Sequence, residues 1–307
     1  ERQVVGTVKN ALVDGARARG IELRVDADNP DIHIAVRMHD GVLSVSVDLA
    51  GAAMHQRGYR LDAGDAPLRE NLAAVLLMLA RYNWREDVLI DPMAGSGTIA
   101  IEAALMARAT PLFSGKRTAA YLRLPAFVGY GQRNDALFAD AEPLIVASDI
   151  DIRAVQMMQA NAAAAGVAED IQIVHADLRD LSPRVIAKRL GDRLREEHNG
   201  LIVSNPPYGE RLAGGELDLY SDMVEWSEQF SGFRAAFVVG NAEFEEIFAS
   251  LGEELPPYTQ FLIDASQAMN TRVVPHAGID ACRTRRDSYE RARASSRAAP
   301  AQAPSPS

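Results

Sequence analysis

The sequence predicts an α/β fold: a doubly wound, mostly parallel sheet preceded by a small, partial α+β segment. Three observations carry that expectation. From residue 66 onward, short apolar runs alternate with segments of helical period, as strands and crossover helices do in a parallel sheet. A glycine turn, Asp91-Pro-Met-Ala-Gly-Ser-Gly-Thr98, joins one run to the helix after it. A proline-stiffened turn, Asn205-Pro-Pro-Tyr208, leaves a later run.

Residues 1–60 read as the α+β piece. Val8, Ala11, Leu12 and Ala16 share one face of a helix over Val8–Arg19. Two alternating runs, Ile32–Met38 and Leu43–Leu49, flank His39-Asp40-Gly41, and an Asp-Gly pair between such runs signals a hairpin. A helix follows over Leu68–Arg81, with Pro67 near its start, where the missing N–H is not needed. Val88–Asp91 is a buried strand, Thr98–Arg108 a helix and Leu144–Ser148 a second strand. Between them, residues 109–142 form an insertion carrying Lys116, Arg117, Tyr121, Arg123, Phe127, Tyr130 and Arg133, read either as an RNA-contacting loop or as aromatics tucked into the core. Asp151 caps a helix over Ile152–Ala165, which Gly166 ends.

Further strands are expected at Ile171–His175, Leu201–Ser204 and Ala235–Val239, with helices over Val185–Glu197, Leu217–Phe230 and Glu243–Leu251. Gln260–Asp264 and Ile279–Thr284 are candidates for a closing strand pair. The division is thus 1–60, 61–284 and a tail, 285–307, expected to be disordered because Ser295–Ser307 is alanine, proline and serine with a single arginine and glutamine.

At 307 residues, with 48% hydrophobic and 24% charged residues, the chain suits one large α/β domain and a smaller piece. No apolar run approaches the ~20 residues that cross a bilayer, so no membrane partner is expected. The single cysteine, Cys282, excludes an internal disulfide and suits a reducing cytoplasm. Six histidines without ligand spacing predict no metal site. The net charge of −10 disfavours phosphate binding on average, although a basic patch can sit on an acidic body. Starting at Glu1, inside what reads as a strand or turn, the chain is expected to be a fragment or processed piece.

Gly95 and Gly97 permit positive φ and a close approach of ligand to backbone. A nicotinamide site expects a ribose-binding acid about 20 residues later, yet no acid lies between Glu102 and Asp135. A phosphate-binding P-loop fails because no Gly-Lys-Ser/Thr follows. Three acids instead sit at successive strand ends, where ligands of such sheets bind: Asp91, Asp149 and Asp177. A carboxylate at 149 suits a ribose diol, Asp177 can accept from an adenine amine, and Asp91 can face the ammonium of a methionine moiety. Asp151 reads as a helix cap.

Asn205-Pro-Pro-Tyr208 suits a planar amine. An exocyclic amine delocalises its lone pair and is a poor nucleophile. The Asn205 side-chain oxygen and the Pro206 carbonyl, accepting from its two N–H bonds, draw it toward a tetrahedral shape. Tyr208 offers a face on which the target base stacks. Paired with the glycine turn, this predicts methyl transfer from S-adenosylmethionine to an exocyclic nitrogen.

The chain resembles the THUMP-domain-containing RNA methyltransferases, in particular those acting on guanine N2 of large-subunit ribosomal RNA. The segments that carry the resemblance are Asp48–Gly51, His55-Gln-Arg-Gly-Tyr-Arg60, Ala66–Ala74, Asp91–Thr98, Ser148–Asp151 and Ser204-Asn-Pro-Pro-Tyr-Gly-Glu-Arg-Leu212. They span roughly residues 1–284. The resemblance implies a class I (Rossmann-like) methyltransferase domain and makes residues 1–60 the end of a THUMP-like RNA-binding module. It implies cofactor contacts at Asp91, Met93, Gly95, Gly97, Asp149 and Asp177, with Glu70 at a cofactor-side helix start. It further implies a target base at Asn205, Pro206 and Tyr208. Arg211, Arg117 and Arg123 are candidates for RNA contacts. Ala94 stands where the family often has cysteine.

The expected reaction is therefore methylation of a guanosine N2 in 23S ribosomal RNA, free or in an assembly intermediate. The alternatives are a guanosine of tRNA, adenine N6 of DNA, a protein glutamine, or a non-catalytic role in ribosome assembly.

Overall fold

The computed structural model describes residues 2–26, 30–51, 53–62, 67–112, 118–127, 129–131, 133, 135–207, 216–230, 232–239, 260–263 and 271–273. The chain divides into two compact units, Glu1–Gln56 with Thr110–Ala136, and Arg57–Ala109 with Leu137–Ser307.

In the first unit, helix α1 spans Arg2–Arg17, so the N-terminal residues expected in a strand or turn are helical. Strands β1 (Ile34–His39) and β2 (Val42–Val47) pair antiparallel from Ile34–Val47 to His39–Val42. Asp40 (φ 47°) and Gly41 (φ 75°) both take the left-handed conformation that a two-residue hairpin turn requires. The inserted segment zips onto the chain that follows the hairpin. Ala120 and Tyr121 donate backbone N–H bonds to the carbonyls of Ala50 and Leu49, at 3.2 and 2.9 Å. Its aromatics pack edge-on against one another, Tyr121 on Phe127 at 5.1 Å and Phe127 on Tyr130 at 5.9 Å.

The second unit is built on a seven-stranded sheet. Its strands are β3 (Asp87–Asp91), β4 (Leu144–Asp149), β5 (Ile171–His175), β6 (Asn199–Ser204), β7 (Arg234–Val239), β8 (Gln260–Ile263) and β9 (Thr271–Val273). They lie in the order β5-β4-β3-β6-β7-β8-β9, all parallel except β9. Successive residues of each central strand face opposite layers. Leu89, Ile145 and Leu201 pack against α2 (Glu70–Leu79), α3 (Thr98–Ala107) and α4 (Ile152–Ala165), whereas Ile90, Val146 and Ile202 pack against α5 (Pro183–Leu190) and α6 (Glu216–Glu228). Burial on both faces is why these strands read as unbroken apolar runs rather than alternating ones. Each such side chain contributes roughly 1.5–3 kcal/mol on leaving water.

Two sequence expectations are corrected here. The helix expected over Val185–Glu197 stops at Leu190, because Gly191 follows at φ 55° and the chain turns into a 3-10 segment, Gly191–Arg193. Ser182 and Pro183 start it, and the Ser182 hydroxyl accepts from the Val185 N–H at 3.4 Å. The strand pairing with β8 is Thr271–Val273. The expected strand at Ile279–Thr284, the helix Glu243–Leu251 and the tail lie outside the described residues.

At the amino ends of the strands, Arg234 donates to Asp87 and to the Ala80 carbonyl, tying β7, β3 and the end of α2 together. Asp87 is 1% exposed. Arg234→Met leaves that carboxylate buried without its cation, so we expect a loss of roughly 3 kcal/mol. A lower urea midpoint at unchanged slope is the measurement that checks it.

Candidate active site

Strand order reverses about β3, which lies between β4 and β6, so the carboxyl ends of these three parallel strands open on one crevice. A cavity of about 520 Å3 fills it. Asp91, Met93, Gly95, Asp149, Asp177 and Asn205 all stand on its wall. The glycine turn and the Asn-Pro-Pro turn, distant in sequence, therefore share one site.

Hydrogen bonds from neighbouring elements hold the glycine turn. Ala94 donates its N–H to the Ser148 carbonyl at 2.9 Å, and the Ser148 hydroxyl donates to the Pro92 carbonyl at 3.2 Å. The Gly95 N–H donates to Asp149 Oδ2 at 2.8 Å, while Asp149 Oδ1 accepts from the Asp151 N–H at 2.9 Å. Asn161 of α4 donates to the Ser96 carbonyl at 3.1 Å. The two glycines serve different needs. Gly97 (φ 84°) lies so close to α4 that a Cβ would run into the Met158 side chain; a Cβ on Gly95 (φ 55°) would meet nothing within 4 Å.

Asp91 is 1% exposed and accepts at Oδ1 from the Ser204 hydroxyl, at 2.7 Å, and from the Met93 N–H, at 3.4 Å. Its Oδ2 is buried and has no partner among the described residues. Burial pushes this carboxyl up to about 7; the bonds from Ser204 and Met93 oppose that rise, and the nearby Asp149 charge adds to it. Asn205 Oδ1 is likewise buried and without a partner among the described residues. Two orphaned acceptors on one cavity wall are costly unless a ligand completes them, each by about 1–3 kcal/mol.

Asp177 sits two residues beyond the end of β5, where it caps a 3-10 turn instead of closing the strand. Arg179 donates to both its oxygens, from Nε at 2.9 Å and Nη2 at 2.6 Å, and holds the carboxyl down to about 2. Asp151 caps α4 as expected, accepting from the Arg153 N–H at 2.9 Å. Glu70 is buried at the start of α2 and accepts from Arg60 Nε at 3.1 Å; Pro67 and Leu68, not Glu70, line the cavity. Pro206 is buried, and Pro207 stands on the wall. Arg123 belongs to the first unit, where its Nη1 reaches the Pro30 and Asp31 carbonyls at 3.5 and 3.3 Å. Tyr208, Arg211 and Arg117 lie outside the described residues.

Several residues that shape the site escaped the sequence reading. Ser148 and Ser204 had a signal: each is a polar residue at the carboxyl end of an otherwise apolar run. Asn161 had none, and Arg60 stood out only as the last residue of the resembling segment His55–Arg60. Arg60 reaches the Leu68 carbonyl at 2.7 Å and the Thr98 hydroxyl at 3.2 Å, and Asn161 Oδ1 accepts from the Leu61 N–H at 2.9 Å. Among the described residues, no group of three or more His, Cys, Asp or Glu side chains gathers to hold a metal. Among them also, no helix is long and apolar enough to cross a membrane.

A mostly parallel sheet with a glycine turn after one strand and an Asn-Pro-Pro turn after its neighbour, both on one cavity, is the architecture of the class I methyltransferases, a class whose methyl donor is S-adenosylmethionine. The wall fits that donor, with two buried acceptors awaiting partners and open space above Gly95. The chain belongs to the family described as RMKL-like, methyltransferase domain, which its residues 57–259 match.

A ribosomal RNA large subunit methyltransferase K/L from Chromohalobacter salexigens is 37% identical over an alignment of 262 residues that covers 77% of this chain and 33% of that protein. The chain thus spans about a third of the length of the curated relatives it matches. Among solved structures, a predicted N6-adenine-specific DNA methylase from Listeria monocytogenes str. 4b F2365 is 26% identical at TM-score 0.57, over 78% of this chain and 62% of that one. A methyltransferase complexed with SAH shares the fold at TM-score 0.60 and 24% identity, over 81% of this chain and 64% of that one.

Asp149→Ala removes the anchor of the Gly95 N–H together with an acceptor on the wall. We expect S-adenosylhomocysteine affinity to fall by roughly tenfold to a hundredfold, read by isothermal titration. Unchanged affinity would show that Asp149 holds no part of the donor.

Proposed function

We propose that this chain methylates the N2 amine of a guanosine in 23S ribosomal RNA. The observation that carries the reading is the Asn205 side-chain oxygen, a buried acceptor without a partner among the described residues, on the wall that also holds the glycine turn. The name carried by the K/L relatives supports ribosomal RNA as the substrate class.

S-adenosylmethionine supplies an electrophilic methyl on a sulfonium, a leaving group good enough that the protein's task is positioning and fixed dipoles. In this reading Asp91 receives the donor's ammonium, and Met93, Gly95 and Gly97 line its methionine portion. Asp149 takes the ribose diol, and Asp177 lies toward the adenine. Asn205 and the Pro206 carbonyl accept from the two N–H bonds of the target amine and free its lone pair. Tyr208 stacks on the extracted guanine. Arg211, Arg117 and Arg123 meet phosphates, and residues 1–60 act as the end of a THUMP-like RNA-binding module. The reaction belongs in the cytoplasm, on large-subunit RNA or its assembly intermediate.

A second reading, adenine N6 of DNA, is favoured by the name of the Listeria structure, because the same turn can grip either amine. Incubating the chain with labelled donor and separately with unmodified 23S RNA, tRNA and DNA distinguishes them. Label on guanosine N2 of 23S RNA is expected; label in tRNA or DNA alone overturns the assignment.

Asn205→Ala removes a contact to the amine and none to the donor. Turnover should fall by about a hundredfold to a thousandfold, while S-adenosylhomocysteine affinity, read by titration, stays within about twofold.

A further inference from the structure

Ser204 has no part in the reaction as written above, yet it is a fully buried polar residue at the end of a central strand. It immediately precedes Asn205, and its hydroxyl donates to Asp91 Oδ1 at 2.7 Å across the β3–β6 pair. With the Met93 N–H, this bond occupies one oxygen of the carboxylate and leaves Oδ2 without a partner. A hydroxyl has one proton to give, so the bond also decides which way the Asp91 carboxyl is turned.

We propose that Ser204 is a positioning residue: it locks the Asp91 carboxylate as the receptor for the donor's ammonium and ties that receptor to the strand end that carries Asn205. This rests on the cavity being the donor site. A cation binds the ionised carboxylate and not the neutral acid, so what sets the charge of Asp91 sets donor affinity. Burial disfavours the charge, and the Ser204 bond favours it. Asp149, at the end of β4, is the neighbouring charge that acts on Asp91. Among the described residues, the other charged groups on the cavity wall are Asp151 at the start of α4, Asp177 with its partner Arg179 after β5, and Asp222 on α6.

The sign follows directly. Burial pushes Asp91 up to about 7, so its hold on the donor is present above that pH and is lost as the pH drops through it. The donor's own ammonium, common to native and variant proteins, begins to lose its proton at about pH 8. Removing the hydroxyl raises the midpoint by roughly one pH unit. At pH 7 the ionised fraction then falls about fivefold, and alkaline pH restores it.

The test is titration of the chain with S-adenosylhomocysteine from pH 6 to pH 9, for the native protein and for Ser204→Ala and Ser204→Thr. The ligand's own titration cancels in the ratio of variant to native affinity. The expected result is therefore an acid-side midpoint near 7 for the native protein, one about a unit higher for Ser204→Ala with the ratio returning to about one by pH 9, and a Ser204→Thr midpoint near the native one. Proton release on binding below the midpoint should accompany each curve. A Ser204→Ala loss that is equal at every pH, or no change at all, overturns the proposal, because a purely structural defect is not repaired by alkali. If the folded native chain binds nothing at any pH, the donor-site reading itself falls, and this inference with it.

Discussion

The site depends on β3 being hydrogen-bonded to β4 on one side and to β6 on the other. In a parallel sheet all three chains leave at the same edge, so this one arrangement delivers Asp91, Asp149 and Asn205 to a single crevice. The register does the rest. Ile90 lies opposite Val146 and Ile202 and Asp91 opposite Ala147, so Asp91 stands one residue past the buried layer while Asp149 and Asn205, each three residues past it, flank it further out. A slip of one residue in either pair would turn these side chains to the other face of the sheet.

Placing polar groups at the end of a dry sheet has a cost, and the structure manages it unevenly. Around the glycine turn nearly every group has a partner: Gly95 on Asp149, Ala94 on Ser148, Ser96 on Asn161. Asp91 Oδ2 and Asn205 Oδ1 do not. A satisfied frame around two unsatisfied acceptors is the arrangement expected of a preorganised binding site, where the ligand completes what the protein leaves open.

The segment Arg57–Asp62 explains how the frame stays rigid. Arg57 and Tyr59 both bond to the buried Glu102 of α3, at 3.2 and 3.0 Å. Arg60 reaches Glu70, the Leu68 carbonyl and Thr98, and Leu61 bonds to Asn161 of α4. Burial pushes the Glu102 carboxyl up, and the Arg57 and Tyr59 bonds counter it. One short stretch thus fastens the starts of α2 and α3 and the middle of α4 together, all of them bordering the turn.

The local signals in the sequence were sufficient for the elements themselves. Period, caps and glycines placed α4 from Ile152 to Ala165 and β5 from Ile171 to His175 as observed, and Asp40-Gly41 marked the hairpin. They failed where a local stop was overlooked, as at Gly191, or where a partner strand had to be chosen, as with β9. Of the site, the acids at strand ends and the Asn-Pro-Pro turn were legible because chemistry restricts which residue types can stand there. That Glu70 would answer Arg60 off the cavity and that Ser204 would grip Asp91 were decided only by tertiary structure. The physical reason is range. Propensity, capping and periodicity act between residues a few positions apart, whereas a hydrogen bond between residues 91 and 204 exists only once the sheet has fixed the order and register of its strands.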